Sequence, residues 1–228
     1  MIAIIIIGPP GSGKGTQAQL LAEKLNLVHF DSGSYLRQVL YDSKYKKNKI
    51  IQAERKLNET GKINTPFWVL KIITDKIKKI EKLNESVVFS GSPRSAFEAF
   101  GDKKHKGLMK ILEEFYSKKN TRVFILNILE KESIKRNLKR TICSICRMPI
   151  LSQMSGVKCR MSKCPFCAGP LKSRFDDKKE IIIKRLKEYQ QRTFPIIKEL
   201  KKRNYKITAI DGTPLPYKVH QKIIGFLK

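Results

Sequence analysis

Ile4-Ile5-Ile6-Ile7-Gly8-Pro9-Pro10-Gly11-Ser12-Gly13-Lys14-Gly15-Thr16 decides the fold of this 228-residue chain. The isoleucine run reads as a strand buried on both faces, and the residues from Thr16 to Leu25 read as a helix with Ala18, Leu21, Ala22 and Leu25 on one side. Between them lies a turn of the form G-x-x-x-x-G-K. Its glycines let successive backbone N–H groups point inward, the helix start adds partial positive charge, and Lys14 adds a full one. Gly11, Ser12, Gly13, Lys14, Gly15 and Thr16 thus form a candidate cradle for the terminal phosphates of a nucleotide. The hydroxyl that usually follows the lysine is Gly15 here, so the metal-side hydroxyl falls to Thr16.

Outward from that turn, strands are expected at 27–30, 87–90, 122–126 and 206–210. Helices are expected at 66–83, 108–116 and 130–140, around Ile182, Ile183, Leu186 and Tyr189, and at 217–227. The Lys-rich stretch 44–60 carries a weak helical period that stops at Gly61, and Pro66 suits a helix first turn. Alternating strands and helices predict an α/β fold with a parallel sheet. His29 lies within a strand and reads as a packed core residue.

Net charge is +28, and 36 of the 48 basic residues are lysine. The lysines are spread over nearly every segment, so a diffuse solvated surface is preferred to a nucleic-acid partner. No apolar stretch approaches a membrane span, and the opening residues lack the basic region and cleavage site of a secretory signal. Cys143-x-x-Cys146 and Cys164-x-x-Cys167 supply four thiolates for a tetrahedral structural site. Zn2+ suits this soft ligand set, although iron takes the same thiolates and disulfide pairing is the alternative. Cys159 is left as a spare thiol. Cysteines spaced for metal point to a reducing cytoplasm.

The chain resembles the adenylate kinases with a long, cysteine-bearing lid, through pieces spread over nearly its whole length. These are GPPGSGKGTQA at 8–18, SGSYLR at 32–37, GSPRS at 91–95, Arg136-x-x-x-Arg140, the cysteine insert, Arg174-Phe175-Asp176-Asp177, Arg185-Leu186 with Tyr189, and Ile210-Asp211-Gly212. The resemblance implies a P-loop NTPase-type, five-stranded parallel sheet with helices on both faces. It implies a core at 1–30, 65–138 and 178–228, a monophosphate-binding segment at 31–64 and a zinc-bearing lid at 139–177. The implied activity is Mg2+-dependent transfer of the ATP γ-phosphoryl to AMP, by a cytoplasmic monomer.

The same resemblance assigns roles. Lys14, Arg94, Arg140, Arg174 and Arg185 would be catalytic. Arg136 would lie over the ATP adenine, with Arg140 closing on its phosphates. Ser32, Arg37, Lys62, Ile63, Asn64, Gly91, Arg94, Glu98, Arg174 and Arg185 would receive AMP. Planar guanidinium groups suit this work, because phosphoryl transfer gathers negative oxygens at one place. Four positions depart from the family pattern. Ser90 and Ser34 stand where carboxylates are usual, Ser92 where an aromatic is, and Glu98 where a glutamine reads the acceptor adenine. Asp31 is the candidate replacement carboxylate near the metal. Glu98, which can accept but not donate when ionised, leaves another acceptor base open. Two further classes, a P-loop ATPase with no phosphate acceptor and an RNA-associated protein keeping the fold, would not need this set of arginines.

Overall fold

The computed structural model describes residues 1–146, 149–150, 162–174 and 177–227. Cys159, Arg160 and Asp176 therefore lie outside the described residues.

Strand β1 (Ala3–Ile7) is buried along its whole length and forms the centre of a parallel sheet. The sheet order is β2 (Val28–Asp31), β3 (Val87–Ser90), β1, β4 (Thr121–Asn127) and β8 (Lys206–Asp211). Side chains alternate between two apolar layers. Ala3, Ile5, Ile7, Phe89, Val123 and Ile125 meet α4 (Pro66–Glu81), α6 (Leu108–Tyr116) and α9 (Phe194–Lys202) on one face. Ile4, Ile6, Val88, Phe124 and Leu126 meet α1 (Lys14–Leu25) and α10 (Pro216–Gly225) on the other. A strand with no solvent face reads as an uninterrupted apolar run, which is why the isoleucines were diagnostic. The chain leaves β1 toward β2 on one side, and leaves the neighbouring β3 toward β4 on the other. The carboxyl end of β1 is therefore a switch point, where α/β sheets bind ligands.

Three smaller pieces surround that end. The first is α2 (Ser32–Tyr41), a short 3-10 turn at Ser43–Tyr45, and α3 (Lys49–Glu59). Gly61, at φ 79°, ends α3: its N–H reaches Asn58 O at 3.2 Å, and Lys62 N–H reaches Leu57 O at 3.1 Å. These two bonds define a Schellman cap. The second piece is the helical block α5 (Ala96–Phe100), and the third is the insert after α7 (Glu130–Leu138). Within the insert β5 (Thr141–Cys143) pairs antiparallel with both β6 (Pro149–Ile150) and β7 (Leu171–Ser173). Helix α8 (Lys179–Glu188) returns the chain to the core and passes through a π-helical turn, Tyr189–Thr193, into α9.

Several sequence expectations change. Ile183 is exposed on α8, Leu25 ends α1 partly in solvent, and Leu83 lies beyond α4 in an exposed turn. His29 is not core: its ring contacts Gln19 Oε1 and Ser90 Oγ and it faces the cleft. No helix among the described residues is long and apolar enough to cross a membrane.

Candidate functional site

The loop between β1 and α1 ends on Gly13, which enters the helix at φ 89°. Helix α1 has no side-chain cap and no acidic residue in its first turn, so its leading N–H groups and positive dipole end face the cleft. Lys14 folds back over the loop and donates through Nζ to Gly8 O at 2.7 Å and Pro9 O at 2.8 Å.

A cleft of about 1250 Å3 opens above this loop. It is lined by Lys14, Arg37, Arg94, Arg136, Arg140, Arg174 and Arg185, and all six arginines are half-buried. Their convergence is measurable at two points. A Cβ placed on Gly33 would lie 3.2 Å from Arg94 Nη2 and 3.6 Å from Arg37 Nη1, so the missing side chain makes room for two guanidinium groups at the start of α2. At the loop, the Lys14 ammonium is held well below its usual pKa by burial and then by Arg94, Arg185 and Arg140, with Asp31 opposing. Asp177, itself buried, accepts from Arg140 through both carboxylate oxygens and lies 3.6 Å from Arg185 Nη1.

Arg136 is fixed differently. Its Nε donates to Glu132 at 2.6 Å, and its terminal nitrogens donate to Gly212 O at 2.8 Å and Thr213 O at 2.7 Å. This locks the guanidinium plane against the loop after β8, where Pro214, Leu215, Pro216 and Val219 give an apolar wall. Ser32 lies under the opposite end of the cleft, donating to Ser90 O at 3.2 Å and accepting from Ser92 Oγ at 3.0 Å. Gly91, Lys62, Ile63 and Asn64 also line the cleft.

Asp31 stands at the sheet edge directly opposite Ser90 in the β2–β3 register. Its Oδ1 caps α2 by accepting from Ser34 N–H at 3.1 Å, and it also lines the cleft. Burial lowers the pKa of the adjacent His29, against the pull of Asp31, which favours a neutral ring between Gln19 and Ser90.

Ser32 and Glu98 are the two residues assigned to substrate from the sequence that do not line the cleft: Ser32 is buried beneath it between Ser90 and Ser92. Glu98 is buried in α5 and closes the helix's N-terminal cap: Oε2 accepts from Arg94 N–H at 3.0 Å, Oε1 from Ser95 Oγ, and Ser95 Oγ accepts from Glu98 N–H. The sequence assigns His29 to the core and gives Gln19 and Asn58 no role, yet all three line the cleft. They are polar residues in polar surroundings, and only the three-dimensional contacts single them out.

In the insert, the Sγ atoms of Cys143, Cys146, Cys164 and Cys167 all lie within 4.8 Å of one another. Cys143–Cys167 is 3.4 Å and Cys146–Cys164 is 3.6 Å, near the roughly 3.8 Å edge that Zn–S bonds of about 2.3 Å give a tetrahedron. Ile145 N–H points at Cys143 Sγ and Phe166 N–H at Cys164 Sγ, the same local turn used twice. Burial opposes a thiolate at Cys143, but the N–H groups of Ile145 and Cys146 and the neighbouring thiols outweigh it and bring the pKa to about 6. The four thiols fit a structural metal ion with no open coordination position.

A parallel sheet ending on a glycine-rich anion loop, with guanidinium groups arrayed around it, defines a P-loop protein built to gather phosphates. A family model described as adenylate kinase matches residues 6–205. The adenylate kinase of Chlamydia trachomatis serovar D is 31% identical, over 98% of this chain and 89% of its own length. That of Chlamydia felis is 33% identical over 100% and 98%, and that of Methanothrix thermoacetophila 32% over 85% and 84%. The chain belongs to the adenylate kinase family, and so to the nucleoside-monophosphate kinases.

Two outcomes follow from the site. Native protein purified without chelator should carry close to one equivalent of zinc or iron per chain, measured by elemental analysis; a clearly substoichiometric content contradicts the four-thiolate site. Burial raises the Glu98 pKa from 4.5 to about 7 despite its hydrogen bonds, so the folded chain holds that proton more tightly than the unfolded one. Its contribution to stability therefore falls as pH rises between those values. Glu98→Gln should remove that dependence, and its melting temperature relative to wild type should rise between acid and neutral pH. A constant difference across that range contradicts the assignment.

Proposed function

We propose that the protein transfers the γ-phosphoryl group of MgATP to AMP, reversibly, giving two ADP. The observation that carries this reading is the convergence of Arg94, Arg140 and Arg185 on a buried Lys14 at one uncapped helix start, where burial first and then these guanidinium groups lower the lysine pKa. An ATPase that passes phosphate to water has no need of a second anion site. Here Arg37 and Arg94 meet over Gly33, at the start of α2, and offer one.

In this reading Gly11, Ser12, Gly13, Lys14, Gly15 and Thr16 wrap the triphosphate, with Arg140 on its outer oxygens. Arg136 and the Pro214–Val219 wall hold the donor base as a slot between a cationic plane and apolar surface. Arg37, Lys62, Ile63, Asn64, Gly91 and Arg94 receive the monophosphate, with Ser32 in the floor beneath them, while Arg174 and Arg185 reach both substrates. An oxygen of the AMP phosphate attacks the γ-phosphorus as the bond to the ADP oxygen breaks. No protein atom takes the phosphoryl group. The chain's work is to align the two oxygens and neutralise charge on the moving group.

Lys14 leaves its two loop carbonyls for phosphate oxygens, and the Asp177 pairs with Arg140 and Arg185 yield part of their hold to substrate. Thr16 and Asp31 are the residues that would hold the Mg2+ brought by ATP, which neutralises phosphate charge and orients the oxygens. Asp31 fits the task because it lies one strand over from Ser90, at the same height in the sheet. Segments 31–64 and 139–177 act as inserts closing over the core at 1–30, 65–138 and 178–228, excluding water from the γ-phosphorus. The zinc-stapled lid keeps its shape through that movement. The reading includes a cytoplasmic monomer that does not use its positive surface for nucleic acid.

Purified protein with ATP, AMP and Mg2+ should accumulate ADP, read by chromatography, with hydrolysis to free phosphate much slower. AMP-independent release of phosphate would contradict the reaction. Arg94→Ala and Arg140→Ala should each lower turnover by roughly 10²–10³-fold with the fold retained, as for loss of a transition-state donor. Asp31→Ala should raise the Mg2+ concentration needed for half-maximal rate and weaken Mg2+-dependent nucleotide binding measured by calorimetry. An unchanged metal requirement removes Asp31 from this role.

A further inference from the structure

We propose that the side-chain amide of Asn58 reads the base of the acceptor nucleotide, held in orientation by the buried pair Glu54 and Asn64. This rests on the phosphoryl-transfer reading above and names its acceptor specificity.

With the acceptor's phosphate assigned to Arg37 and Arg94, its base needs a wall of the cleft that offers both hydrogen-bonding and apolar groups. Segment 58–64 supplies such a wall, with Asn58, Gly61, Lys62, Ile63 and Asn64 lining the cavity and Leu36 adding apolar surface. Glu98, buried in its helix cap, is not on that wall.

The amides on the wall are ordered from behind. Glu54 and Asn64 are each only 4% exposed. Asn64 Nδ2 donates to Glu54 O at 2.8 Å and to Glu54 Oε2 at 2.9 Å, and Thr65 N–H donates to the same carboxylate oxygen at 2.9 Å. With both amide protons engaged, Asn64 can present only its oxygen, and Asn58 Nδ2 approaches that oxygen at 3.4 Å. This fixes which end of the Asn58 amide is nitrogen. It leaves Asn58 with an acceptor oxygen and a second N–H for a ligand. The backbone beneath is fixed by the cap in which Gly61 N–H reaches Asn58 O. Finally, a Cβ on Gly61 would lie 2.9 Å from Ile181 Cγ2, so this wall packs closely against α8.

An adjacent oxygen acceptor and N–H donor match a 6-aminopurine, whose amine donates beside a ring nitrogen that accepts. A 6-oxopurine presents the reverse order and would leave both groups unpaired in a partly desolvated cleft, which is the stronger source of discrimination.

The test compares wild type with Asn58→Ala, Asn58→Asp and Glu54→Gln. It measures AMP and GMP binding by calorimetry without ATP, KM for each at saturating ATP, and KM for ATP. Asn58 is half-exposed near the end of α3, so its variants should melt near wild type. Asn58→Ala should raise KM for AMP roughly 10- to 100-fold, the worth of one bidentate base contact, with KM for ATP unchanged. Asn58→Asp, which only accepts, should move preference toward GMP, whose ring N–H donates. Glu54→Gln should weaken AMP in the same direction without altering ATP. An unchanged AMP-to-GMP ratio in both Asn58 variants overturns the proposal. Should wild type make no ADP, the reaction reading fails instead, and the calorimetric ratio still decides whether Asn58 selects the base.

Discussion

Repulsion among fixed cations is the constraint from which the rest of this structure follows. Burying an ammonium beside three guanidinium groups is costly in the absence of an anion, because charge interactions strengthen as water is excluded. Several devices offset that cost. Lys14 is held by two loop carbonyls, Asp177 spans Arg140 and Arg185, and Asp31 sits close enough to favour the charged lysine. A polyphosphate entering the cleft can replace all of these at once. The site is therefore strained toward its ligand, and the buried sheet, with β1 at its centre, supplies the rigidity that keeps the cations from drifting apart.

The same electrostatics make sense of the unusual residues around the loop. Ser90 and Ser34 are uncharged, and Asp31 supplies a carboxylate opposite Ser90 on the neighbouring strand. Glu98, ionisable where an amide is expected, is withdrawn into a helix cap that steadies the Arg94 backbone. In the proposed reading the acceptor base then falls to the amides of Asn58 and Asn64. Changes at separate points in the sequence thus belong to one rearranged cleft.

How much of this could be read beforehand depended on whether the signal was local. The isoleucine strand, the glycine turn and the twin Cys-x-x-Cys turns are local, and each stands where its pattern puts it. Helix α3 also forms despite its weak period, because Asn48 caps it at one end and Gly61 closes it at the other. Helix α9 was missed: the π-helical turn at Tyr189–Thr193 shifts the angular phase of the apolar positions, so the period of α8 does not carry through Pro195. His29 looked like core because strands alternate, but its face is decided by Ser90 and Gln19, distant in sequence. Glu98 departs from its expected place for the same reason, since a helix cap does not announce which side of the helix meets the cleft.

If burial and crowded cations hold the Lys14 pKa below its ordinary value, an incoming polyanion must raise it again. Titration calorimetry of ATP binding in buffers of different ionisation enthalpy, at pH values stepped from above the nucleotide's own ionisations up to the ordinary lysine range, measures the proton taken up where the free lysine has lost it. The account predicts net proton uptake by the wild type that disappears in Lys14→Met. Binding with no proton uptake, or uptake that persists in the variant, would contradict it.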